Sequence, residues 1–165
     1  MAVEEPGGCL PNPEVDPDLL VGRGGGTTRP WPGWDVLAAV SVGGALGATA
    51  RYGVTLAVPT TAQGWPWATF IANVGGSLGL GALTALAVAR YPLHPLVRPL
   101  LGVGVLGSFT TYSTFVVEID TRLGQGQMAM AVVYALGSVV AGVGAAAAGL
   151  GMGRRLAGEG PCTAR

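Results

Sequence analysis

Lysine is absent from this 165-residue chain, and all nine basic residues are arginine. Charge of either sign is scarce: Asp, Glu, Lys and Arg together make up 11% of the residues, against about a quarter in an ordinary soluble domain. The formal net charge is zero, so nothing points to nucleic acid. There is one histidine, His94, set between Pro92 and Pro95 in a short turn. A lone histidine builds no metal cluster, and it reads as a loop residue. The two cysteines, Cys9 and Cys162, stand in opposite tails, which excludes a disulfide framework and a cysteine metal site. No secretory signal is legible, because the first thirty residues lack an apolar core and are broken by Pro6, Pro11, Pro13 and Pro17. Residues 1–33 therefore read as a disordered tail, with Gly24, Gly25 and Gly26 as a flexible link.

What remains is apolar: half of all residues are hydrophobic. A helix needs about 20 mostly apolar residues to cross the hydrocarbon of a bilayer. Four stretches qualify, Val36–Val58, Trp67–Ala89, Leu96–Ile119 and Met128–Met152. The chain thus divides into the tail, a membrane domain over 34–154 and a C-terminal tail over 155–165. The fold class is an all-α membrane protein with four transmembrane helices. Trp31 and Trp34 precede the first span, and Trp65 and Trp67 the second, as expected of indoles at the headgroup level. Four crossings put both tails on one side, together with Arg90 and Arg98. Arg23, Arg29, Arg154, Arg155 and Arg165 join them there, while Arg122 and Arg51 lie toward the other face. The positive-inside rule places the tails in the cytoplasm of a multi-pass plasma-membrane protein.

Glycines four apart (Gly43 and Gly47, Gly75 and Gly79, Gly149 and Gly153) make smooth stripes for close helix packing. The third span is different. Its centre reads Gly107-Ser108-Phe109-Thr110-Thr111-Tyr112-Ser113-Thr114-Phe115, after glycines at 102 and 104. Ser and Thr compete for backbone hydrogen bonds, so a break is expected near Gly107 to Thr110. Backbone freed in lipid is tolerated only when buried in protein or lining a wet cavity.

These residues resemble the CrcB/Fluc fluoride channel family. Its third-span run of Gly-Gly-x-Thr-Thr-Phe-Ser-Thr-Phe is present from Gly107 to Phe115, with Ser108 at the second glycine and Tyr112 at the first phenylalanine. The first span offers Gly43, Gly44, Gly47, Ala48, Arg51 and Tyr52 in the family's order. The second offers Thr69, Asn73 and Gly76, and the fourth a Tyr134/Ser138 pair. Glu118 matches an acid three places after the last phenylalanine. The similarity runs from Asp35 to Arg154.

The resemblance implies a fluoride-selective channel subunit that exports cytoplasmic fluoride and relieves its toxicity. It implies an antiparallel dimer with two pores. It also implies a structural Na+ at the interface, held by the backbone carbonyls of Gly107 and Thr110. The fluoride path would be lined by Asn73, Tyr112, Ser113, Thr114, Phe115, Tyr134 and Ser138. Arg51 would serve a vestibule or a lipid phosphate, and Glu118 a structural or electrostatic role. Neutral N–H and O–H donors and positive ring edges suit a small, strongly hydrated anion, replacing its water without trapping it. The arginine bias favours one orientation, so an oppositely oriented sister subunit is the expected partner, beside self-pairing.

A small four-span multidrug exporter is the alternative. That chemistry needs a deep carboxylate, and the first, second and fourth spans have none. No nucleophile is paired with a base, so an enzyme is not expected.

Overall fold

The computed structural model describes residues 33–58, 64–89 and 94–158. The two tail readings and the two cysteines fall essentially outside them. Within them the chain is all helical. Helix α1 spans Trp34–Ala57 and α2 spans Trp67–Val88. A π-helical segment, Arg98–Leu106, runs into the single turn α3, Gly107–Phe109. After it come α4, Ser113–Gly124, and α5, Met128–Leu156.

The stops are local chemistry. Val58 follows the end of α1, and Pro59, which cannot extend the hydrogen-bonded ladder, comes next. Past α4 the chain turns through Gly126 at φ 74°, a left-handed conformation that a side chain resists. That turn lets the amide of Gln127 reach the Arg122 carbonyl at 2.8 Å, satisfying a helix-end acceptor. Gly158, at φ 78°, ends α5 in the same manner.

Three helical stretches are long and apolar enough to cross a membrane: Trp67–Val88, Arg98–Gly124 and Met128–Leu156. At 1.5 Å per residue, the 22 residues of α2 reach about 33 Å, slightly more than the roughly 30 Å hydrocarbon core. Helix α1 has the length, 24 residues, but not the apolarity, being diluted by Ser41, Thr49, Arg51 and its glycines. Helix α4 continues to Gly124, beyond the Ile119 boundary expected from hydropathy, and α5 runs past 154 to Leu156.

The packing is inverted relative to a soluble protein. Large apolar side chains such as Val42, Leu46, Leu56, Val88, Val140 and Val143 face outward, while the buried set is mostly small: Ala68, Ala72, Ala85 and Ala131. Tyr134 is the large exception, completely buried. Two seams dominate, α2 against α5 and α1 against the π-helical segment. At both, glycine lets backbones touch. A methyl on Gly43 or Gly47 would collide with the carbonyls of Leu100 or Val105, and one on Gly149 with the carbonyl of Leu78. Gly153 meets Ala82 and Ala85. The Gly75/Gly79 pair behaves otherwise, lying beside the side chains of Phe109 and Leu106 rather than against a backbone. Gly81 and Gly104 carry close approaches that no four-residue stripe announced.

Candidate functional site

Helical geometry lapses between α3 and α4. Thr110 is extended, at φ −78° and ψ 158°, and α4 opens at Ser113. The lapse follows the glycine-rich π-helical segment and sits at the end of the Gly107–Thr110 stretch that the sequence singles out. It deprives Thr111 of its helical partners, and α2 supplies replacements. The Asn73 Nδ2 donates to the Thr111 carbonyl at 3.0 Å, and the Thr111 amide donates to Asn73 Oδ1 at 2.8 Å. One side-chain amide thus imitates a backbone peptide on both sides. The Thr111 hydroxyl accepts from the Thr114 amide at 3.2 Å and donates to Thr114 Oγ1 at 3.0 Å, capping the start of α4. Gly76, one turn along α2, makes room for the methyl of Thr110.

Beside this lapse lies a cavity of about 470 Å³ between α2, the interrupted helix and α5. Asn73, Gly107, Thr110, Tyr112, Phe115 and Ser138 line it, all singled out from the sequence. Ser77 and Thr111 line it too, and among the described residues no charged one does. Ser138 Oγ is buried with no hydrogen-bond partner among the described residues. Tyr112 is 79% exposed, its ring 6.3 Å from that of Phe115, whose ring is in turn 5.3 Å from that of Tyr134.

Ser113, Thr114, Tyr134, Arg51 and Glu118 stand outside the lining. Ser113 is exposed, 3.4 Å from the Thr111 hydroxyl. Arg51 is half-buried on α1, its Nε without a partner. Tyr134 and Glu118 meet each other. The Tyr134 hydroxyl donates to Glu118 Oε2 at 2.7 Å, and the Thr69 hydroxyl donates to Oε1 at 2.8 Å. Two neutral donors from α2 and α5 therefore hold one carboxylate of α4, joining the three helices.

Sequence reasoning missed two further members. Arg122, read as a residue of the outer connection, is only 4% exposed. Its Nη1 donates to the Glu118 carbonyl at 2.9 Å and its Nη2 to the Gly64 carbonyl at 2.6 Å, with the guanidinium carbon 5.7 Å from the Tyr134 ring centre. Trp65, read as a headgroup anchor, is half-buried against Tyr134, 5.3 Å away and perpendicular, and against Phe70 at 5.7 Å. Trp67 and Trp34 are exposed.

Among the described residues no group of three or more His, Cys, Asp or Glu side chains is placed to hold a metal. Carbonyl oxygens are the other hard donors on offer, and the extended ψ of Thr110 turns its carbonyl out of the helical direction.

Comparison with known proteins places this arrangement. The family profile described as "CrcB-like protein, Camphor Resistance (CrcB)" matches residues 38–150. A relative from Streptomyces avermitilis named "Fluoride-specific ion channel FluC 3" is 44% identical over 119 residues, covering 72% of this chain and 58% of that protein. One from Nocardia farcinica, "Fluoride-specific ion channel FluC 2", is 42% identical over 119 residues, covering 72% of this chain and 85% of its own length. One from Chloroflexus aurantiacus, "Fluoride-specific ion channel FluC", is 43% identical over 119 residues, covering 72% and 94%.

Proposed function

The chain belongs to the CrcB-like family, and we propose that it is a fluoride channel subunit of a multi-pass membrane protein, letting fluoride out of the cytoplasm. The observation that carries the reading is the cavity at the lapse in the third span, lined by no charged residue among those described, where Ser138 has a hydroxyl without a hydrogen-bond partner among them and the aromatic residues Phe115 and Tyr112 form part of the wall. An anion leaving water needs replacement donors, and neutral ones release it again. A multidrug exporter fits worse. Glu118 is engaged by two hydroxyl donors and lies outside the cavity, so it is poorly set to trade protons for a cationic substrate.

The finer architecture belongs to the same proposal. Helix α1 is the remaining crossing, made tolerable by its tight seam with the π-helical segment. The interrupted helix from Arg98 to Gly124 is one broken span. The exposed Tyr112 and the outward apolar faces suit a second, antiparallel subunit, either a copy or an oppositely oriented sister. The carbonyls of Gly107 and Thr110 would hold a Na+ there, a hard monovalent cation matched to neutral oxygens. When bound, that ion would supply positive charge to tie the two broken helices together. The tails would lie in the cytoplasm.

The test is reconstitution in liposomes, with fluoride efflux followed by electrode and chloride as the control. The chain is assayed alone and together with a related CrcB subunit. Efflux of fluoride well above chloride and above empty vesicles is expected. Efflux indistinguishable from empty vesicles in both cases would sink the reading.

A further inference from the structure

We propose that Arg122 is a positioning residue for ion passage: its buried charge offsets that of Glu118 across the ring of Tyr134, so the path meets a balanced pair rather than a bare carboxylate. The inference rests on the channel reading above. A carboxylate is an awkward neighbour for an anion path. Glu118 stands one side chain behind the wall, since Tyr134 bonds it and packs on Phe115, which lines the cavity. Among the described residues the donors to that carboxylate are the hydroxyls of Thr69 and Tyr134, and they leave its charge in place. The field of an unpaired charge in such surroundings is long-ranged because little water screens it.

Arg122 supplies the opposite sign over the face of the ring whose hydroxyl holds Glu118. Its guanidinium, 4% exposed, lies 5.7 Å from the centre of the Tyr134 ring whose hydroxyl holds Glu118. Guanidinium stays ionised, and burial of a charge is costly, so a neutral donor would serve better if the role were only to strap Gly64 to α4. Its two terminal nitrogens reach neutral carbonyls, and its Nε is buried without a partner. None of these contacts cancels the charge, which is left to act on Tyr134 and Glu118. The two carbonyl bonds fix where it stands, and the aromatic face favours a cation there.

Arg122→Lys and Arg122→Gln separate charge from strap. Both lose the two-pronged guanidinium bonds, but only lysine keeps the charge. In liposome efflux with the full chain, Arg122→Lys is expected to stay within about threefold of wild type. Arg122→Gln is expected to fall roughly tenfold or more, as loss of one compensating charge at this range implies. Both should elute like wild type on size exclusion. Lysine falling as far as glutamine, or glutamine conducting like wild type, would overturn the inference. Should Arg122→Gln fail to accumulate, Arg122→Lys decides alone: a correctly eluting protein that no longer conducts refutes it. A wild-type chain that carries no fluoride sinks the channel reading itself, and this inference with it.

Discussion

Removing the Asn73 side chain tests whether the interruption of the third span is held by the clamp seen in the structure. Asn73 donates 3.0 Å to the Thr111 carbonyl and accepts at 2.8 Å from the Thr111 amide. Asn73→Ala strands both backbone groups at a half-buried position. A stranded buried polar group costs about 1–3 kcal/mol, and partial exposure favours the lower end, so about 2–3 kcal/mol is expected in all. By the scaling for domains of this size, that is a fall of roughly 5–10 °C in the melting temperature. It is measured in detergent by loss of the size-exclusion peak on heating. Flux should fall as well, because the clamp positions Thr111 and, through it, the start of α4.

Asn73→Asp differs in a telling way. It keeps an acceptor for the Thr111 amide but points a second oxygen at the Thr111 carbonyl, where the donor stood. It also places a charge in a cavity that has none. At an effective dielectric constant near 20 and a separation of a few ångströms, a unit charge opposes a passing anion by about 2–4 kcal/mol, or roughly 30- to 1000-fold in rate. Aspartate should therefore conduct far less than alanine, with fluoride efflux near that of empty vesicles. An Asn73→Ala protein with wild-type melting and wild-type efflux would refute the clamp, whatever aspartate does.

Other substitutions probe separate parts. Tyr134→Phe keeps the buried ring and deletes the 2.7 Å bond to Glu118; it should cost about 1.5–3 kcal/mol, as for hydrogen bonds to a charged acceptor, and lower both melting temperature and efflux. Ser138→Ala removes a buried hydroxyl with no hydrogen-bond partner among the described residues, so the melting temperature should change little while efflux drops several-fold. Gly149→Ala drives a methyl into the Leu78 carbonyl at the α2–α5 seam, and overpacking of that kind costs about 1–3 kcal/mol, read as lower thermal stability. Gly144→Ala, with nothing within 4 Å of the added carbon, is the matched control and should be silent.

Of the four spans expected from hydropathy, three are long and apolar enough to cross a bilayer, because length and apolarity are readable residue by residue, while α1 has the length without the apolarity. The polar run after Gly107 contains the extended Thr110, and that this makes one broken span is part of the proposal above. What stayed hidden involves partners far apart in sequence. Asn73 and Thr111 are 38 residues apart, and Thr69 and Glu118 are 49 apart. No periodicity specifies which side chain meets which across a bundle. A hint was present: Thr69 and Asn73, four apart, share one face of α2 and receive α4 and Thr111 in turn. Arg122 was misplaced because a charged residue after an apolar span ordinarily ends it, whereas here the helix continues to Gly124 and folds the guanidinium over Tyr134. The packing of Trp65 was not legible either: the small Gly137 opposite it leaves space that an indole fills.

The hydrogen-bond accounting changes what the cavity can offer an anion. Read from sequence, Asn73, Thr114, Tyr134 and Ser138 are equivalent donors. In the structure they are not. The Tyr134 hydroxyl spends its single proton on Glu118, Asn73 commits one of its two amide hydrogens to the Thr111 carbonyl, and Thr114, whose hydroxyl accepts from Thr111 and keeps its own proton, stands outside the cavity lining. Ser138 retains its hydroxyl proton, with Ser77 on the facing helix as the nearest addition of the same kind. So few free donors cannot rebuild a full hydration shell. On the proposed channel reading, the remaining stabilisation would come from the rings of Phe115 and Tyr112 and from a balanced field behind them. On the same reading, fixed donors such as Tyr134 would act by holding rings and charges in register rather than by touching the ion. A path built in this way tolerates loss of a single hydroxyl better than loss of a ring. Phe115→Ala should therefore reduce efflux more than Ser138→Ala, and the reverse order would show that hydroxyl donors, not ring edges, carry the passage.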